Sequence, residues 1–138
     1  MRLDWAMMAE AVQIREGLAF VLAGGIDTVH AAQLPATLTA SLLVRLLLHR
    51  TESDRQHIVE MRVLDEDGAQ LAGMHGHFQP RAPEDLPIGW DVPLLVTFPI
   101  HGLALPAASQ YSVEILGDGS HLKSLNFRVR LLPPTDHP

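Results

Sequence analysis

Near the C-terminal end of this 138-residue chain, two apolar–polar alternations face each other across a glycine turn. Tyr111, Val113 and Ile115 alternate with Ser112 and Glu114, and Gly117-Asp118-Gly119 follows. Beyond it, Leu125, Phe127, Val129 and Leu131 alternate with Ser124, Asn126, Arg128 and Arg130. A period of two sends successive side chains to opposite faces of a strand, so the stretch predicts an antiparallel hairpin with one buried face. Leu122 is out of phase with Leu125. A bulge or wide loop is therefore expected around Ser120 to Lys123, in place of a tight two-residue turn.

The same period recurs upstream. Leu3, Trp5, Met7, Ala9 and Ala11 alternate with Arg2, Asp4 and Glu10, which predicts a strand with Trp5 on the core face, although Ala6 to Ala11 is rich in helix formers. A turn near Arg15-Glu16-Gly17 leads to Leu18–Gly24, read as a buried strand ending in a bend at Gly24-Gly25. Over Thr37 to His49, Leu38, Ala40, Leu42, Val44, Leu46 and Leu48 form an unbroken even-numbered apolar face. That face predicts a strand central at one end and solvated at the other, with a helix as the alternative. Val59, Met61 and Val63 form the next face; Asp65-Glu66-Asp67-Gly68 turns the chain into a partner strand, Leu71 to Phe78. Residues 79–91 carry Pro80, Pro83 and Pro87 and read as a crossover between sheets. Val92 to Phe98 follows as an edge strand, because Pro93 cannot donate to a ladder, and Gly102 to Pro106 reads as a link. Short strands at this spacing predict an all-β fold: an antiparallel β-sandwich of about 8 strands, Greek-key-like, with a small β-barrel or jelly roll as the alternative. One domain is expected over residues 1–132, with 133–138 as a flexible tail.

Composition narrows the function classes. With no cysteine there is neither a disulfide framework nor a thiolate zinc site nor a cysteine nucleophile. A net charge of −6 opposes binding to a phosphate backbone, and the Arg128/Arg130 pair is too small for a nucleic-acid footprint. Asp4, Glu10, Arg15 and Glu16 precede Leu18–Gly25, an acidic lead unlike a secretory n-region, and no apolar run approaches the roughly 18 residues of a membrane span. The expectation is a cytoplasmic protein without nucleic-acid or membrane partners.

Histidine is the residue type in excess, at eight. His75 and His77, at i and i+2 on a strand, point to one side and could share a divalent metal, with His49, His57 or Glu84 as a third ligand. The spacing is similar to the cupin pattern, in which a strand His-x-His precedes a glutamate by three or four residues. Here the first acidic residue after His77 is Glu84, seven positions on, and a second motif ending in histidine and asparagine is absent. The bland reading is a solvated strand face. No serine sits in a Gly-x-Ser-x-Gly elbow, and no glycine-rich phosphate loop precedes a helix. Gly68 falls too early for Asp65 to Asp67 to open a calcium loop. Trp90, after Gly89 in the proline-rich loop, is either a plug for the open end of the sandwich or the rim of a binding groove.

Asp4-Trp5-Ala6…Glu10-Ala11, Gly24-Gly25-Ile26-Asp27, Leu64 to Gly68 and the Tyr111–Val129 ending together resemble a group of small uncharacterised bacterial proteins. That resemblance covers most of the chain and implies no catalytic residues. The ending is also similar to the last strands of immunoglobulin-like and C2-like sandwiches, a likeness of fold. The leading functional expectation is a non-enzymatic module that binds a protein partner or itself through edges or the Arg128/Arg130 face. It uses no cofactor. The alternative is a metal-dependent, cupin-like enzyme using His75 and His77.

Overall fold

A computed structural model describes residues 1–134; positions 135–138 of the expected tail lie outside the described residues. Alternation is realised there as β1 (Arg2–Arg15), β2 (Leu18–Gly24), β3 (Thr28–Ala31), β4 (Ala36–Leu48), β5 (His57–Leu64), β6 (Gln70–Phe78), β7 (Val92–Leu105), β8 (Gln110–Gly117) and β9 (Ser120–Leu131). One turn of 3-10 helix, Arg50–Glu52, follows β4. The strands form a four-stranded sheet in the order β2-β1-β4-β7 and a five-stranded sheet in the order β3-β9-β8-β5-β6. The two sheets pack as a sandwich, as expected. All neighbours are antiparallel except β3 and β9, which run parallel. The four-residue β3 has too little pattern to be read from sequence.

The core lies between the inner faces. Leu42, Val44 and Leu46 of β4 meet Val59, Met61 and Val63 of β5 and Val113 and Ile115 of β8, all fully buried. Each such side chain stabilises the fold by about 1.5–3 kcal/mol through burial. Tyr111 stacks on Phe127 with ring centroids 5.4 Å apart. Its hydroxyl donates to the Ala107 carbonyl at 2.8 Å and accepts from the Ala107 N–H at 3.0 Å, which ties the start of β8 to the preceding corner. Immunoglobulin-like sandwiches use a similar tyrosine corner.

Three local expectations need correction. The β8–β9 turn is a tight one: Asp118 and Gly119 both have positive φ, and Gly117 pairs with Ser120. The expected bulge is nevertheless present: Ile115 pairs with Lys123 and Leu116 with His121, which leaves Leu122 as the extra residue of β9. Gly102 is not in a link. Its left-handed φ of 64° admits an irregularity opposite Leu38 and Ala40, and β7 continues to Leu105. Trp5 does not face the core. A register shift between Leu3 and Trp5 leaves Leu3 opposite Leu46 on the inner face and places Trp5 and Met7 opposite Arg45 and Leu43 on the outer one.

Candidate functional site

The two outer faces of the sandwich differ in chemistry. On the five-stranded sheet the outer face is polar and solvated. Glu114 there accepts from His121 Nε2 at 2.6 Å, from Ser112 Oγ at 3.0 Å and from Ser124 Oγ. Burial alone pushes the Glu114 carboxyl up, but the Ser124, His121 and Ser112 hydrogen bonds outweigh it, and the net shift is downward. Ser124 also lies 3.0 Å from His121 Nε2, the same nitrogen that meets Glu114. A nucleophile relay needs serine and carboxylate on opposite ring nitrogens. This cluster is a surface network.

Arg128 and Arg130 stand on this face, exposed, on β9 opposite Thr28 and His30 of β3. Arg128 Nε donates to Thr28 Oγ1 at 3.3 Å, beside a shallow depression of about 350 Å³ lined by Asp27, Gln110 and Asn126. His75 and His77 also face outward, from β6, with ring centroids 5.6 Å apart. Among the described residues no group of three His, Cys, Asp or Glu side chains is placed to hold a metal ion. His57 is on the opposite side of the sheet: it pairs with Phe78, and its ring is buried.

The four-stranded sheet presents an apolar outer face. Leu43 and Ala9 are fully buried there, outside the cluster of core side chains between the sheets. Cross-strand pairing sets Met7 beside Leu43 and Leu43 beside Thr97, with Trp5, Arg45 and Leu95 in the next row. Arg45 is held by Asp4. The Thr97 hydroxyl is buried without a hydrogen-bond partner.

This face runs on into an arm. β1 pairs with β4 only as far as Ala9, and from there to Arg15 its sole ladder is with β2. Gly25 and Ile26 N–H groups both donate to the Met8 carbonyl, at 2.8 and 2.9 Å, and close the arm at its root. Leu18 to Ile26 carries no charge. Leu18, Phe20 and Leu22 lie on the same face as Ala9 and Ala11 and are 63%, 55% and 60% exposed. The expected burial of β2 is thus wrong: among the described residues no second layer covers it. A continuous apolar run reads alike whether the strand lies inside a sandwich or extends past it.

Trp90 is 64% exposed beside Ile88, which is 99% exposed. It therefore does not plug the sandwich. The Pro87–Trp90 turn carries Gly89 at φ 87° and is anchored by Arg50, whose guanidinium donates to the Leu86 carbonyl at 2.5 Å and to that of Pro87. It lies before β7 of the four-stranded sheet, whereas Arg128 and Arg130 belong to the five-stranded one. No helix among the described residues is long and apolar enough to cross a membrane.

The match to known families runs over residues 4–130, through both sheets and the arm. The chain belongs to DUF6941, a family of unknown function. The likeness to uncharacterised proteins holds at that level, and the DUF6941 match includes every candidate discussed above. No curated protein matches the chain.

Proposed function

We propose that this member of DUF6941 is a non-enzymatic interaction module whose contact surface is the β1–β2 arm with the adjoining apolar face of the four-stranded sheet. One observation carries the reading: an uncharged edge strand with three large apolar side chains more than half exposed. Contiguous exposed apolar area of this kind marks a docking surface in a folded protein, and an open strand edge adds backbone groups for a further strand. A two-stranded ribbon is marginally stable alone, so contact with a partner also completes the arm.

Site-specific photo-crosslinking in cells tests this. A photoreactive residue at position 20 is expected to form protein adducts well above those from position 128. Equal yields at the two positions would overturn the reading.

A further inference from the structure

We infer that the open edge of β2 takes a second copy of this chain, in an antiparallel pair whose two-fold axis passes through Phe20. This identifies the partner for the arm and rests on the reading above.

The four sheet edges are not alike. β7 carries Pro93 and Pro99, β3 has four residues, and β6 carries Gly73 and, between its outward histidines, Gly76. Prolines and short strands prevent edge-to-edge pairing. β2 carries neither proline nor charge, so nothing in it rejects an identical strand.

Its register can be derived. Arg15 pairs with Leu18 across the two-residue turn Glu16-Gly17, both with positive φ. Residues flanking such a turn exchange both backbone hydrogen bonds, and the pattern alternates along the ladder. Leu18, Phe20 and Leu22 are thereby bonded to β1, and the N–H and C=O groups of Ala19 and Val21 point to the open side. Ala23, in left-handed conformation at φ 52°, ends the regular run.

The regular run Leu18-Ala19-Phe20-Val21-Leu22 reads the same way in both directions: large, small, aromatic, small, large. About Phe20, antiparallel pairing sets Ala19 against Val21 of the second copy, where the free backbone groups meet. Leu18 falls against Leu22 and Phe20 against its own copy, in the closely spaced position that favours side-chain contact. The charged turn then lies opposite Gly24 and Gly25, which have no side chains to obstruct it. A strand of charged or irregular sequence would match neither the neutrality nor the symmetry of this run.

The chain has no native cysteine, so introduced thiols report the register directly. Wild-type protein is followed by light scattering over a concentration series, and its mass is expected to double. Under mild oxidation Phe20→Cys should yield a disulfide-linked dimer, because directly opposed residues of this type lie about 4.5 Å apart at Cα. Leu18→Cys alone should not, whereas Leu18→Cys with Leu22→Cys, which retains Phe20, should. Phe20→Asp should abolish the doubling with its circular dichroism spectrum unchanged. A monomer at every concentration overturns the inference, as does a Leu18→Cys single variant that crosslinks as readily as Phe20→Cys. If the purified protein is monomeric while position 20 still forms adducts in cells, the arm has another occupant and the docking reading survives; loss of both removes both.

Discussion

His57 and Asp118 are separated by 61 residues in the chain and by 2.7 Å in space. The Asp118 carboxylate accepts from His57 Nδ1 with one oxygen and from the Ile58 N–H, at 2.9 Å, with the other. His57 Nε2 donates to the Glu52 carbonyl at 2.6 Å. Both ring nitrogens thus face acceptors, which favours the imidazolium. Burial pulls the pKa of His57 down, but the Asp118 and Glu52 bonds and the Asp118 charge together raise it above its ordinary value. Burial pushes the Asp118 carboxyl up, and the His57 and Ile58 bonds bring it below its ordinary value.

Asp118→Asn isolates the charge in this pair, since asparagine also tolerates the left-handed φ of 48° at that turn. A loss of about 2 kcal/mol is expected near pH 6, moderated by the solvent exposure of Asp118. The raised His57 pKa contributes stability that is complete below about pH 6.5 and is lost as pH rises through the folded value. The lowered Asp118 pKa contributes stability present above about pH 4 and lost as pH falls through the folded value. The gap between parent and variant should therefore be widest from about pH 4 to 6.5. Denaturant titrations across pH measure it; a gap that widens above neutrality contradicts the pairing.

Tyr111→Phe keeps the stack on Phe127 and removes both hydrogen bonds to Ala107. About 1–2 kcal/mol of stability should be lost, with the Ala107 amide exchanging faster in hydrogen-exchange experiments. An unchanged Tm and unchanged exchange would mean that the corner is held by other contacts.

Pro93 and Pro99 pair with Leu47 and Ser41 on the outermost strand of the four-stranded sheet. Replacing both by threonine restores two N–H groups to that edge and removes its protection. Higher-order association should appear in light scattering at concentrations where the parent forms none. Identical scattering would show that the β7 edge is closed by something other than its prolines.

Each copy carries a net charge of −6, whereas Leu18 to Ile26 carries none. Long-range repulsion then opposes the β2 pair, and salt screens it. Raising ionic strength should tighten the self-association, the opposite of an interface held by ion pairs. Sedimentation equilibrium at low and high salt reads the sign.

Much of the fold was legible because alternation is a local property. The faces of β5, β8 and β9 follow directly from the order of apolar and polar residues, and Pro93 correctly marks an edge. The His75 and His77 side chains also share a face by strand geometry alone. The acidic run Asp65 to Gly68 forms the expected turn, with Asp65 Oδ1 accepting from the Asp67 and Ala69 N–H groups at 3.0 and 2.8 Å. What misled was phase. Trp5 and Met7 continue the alternation begun by Leu3, yet the register shift beside Asp4 moves them to the opposite side of the sheet.

The candidate surface was hidden for a different reason. Apolar residues on both faces of Leu18–Gly24 state that the strand avoids water, and they do not state what covers it. Only the tertiary structure shows that β4 parts from β1 at Ala9, leaving Phe20 beyond the sandwich. By itself the sequence determined that this chain forms an all-β fold of alternating strands, because side-chain alternation and turn chemistry act between near neighbours. The tertiary structure decided which apolar strand is core and which is contact surface, and which histidine is clamped by a distant aspartate. Those depend on layers and loops brought together from far along the chain, where burial is set by what else is present and not by the residue's own preference.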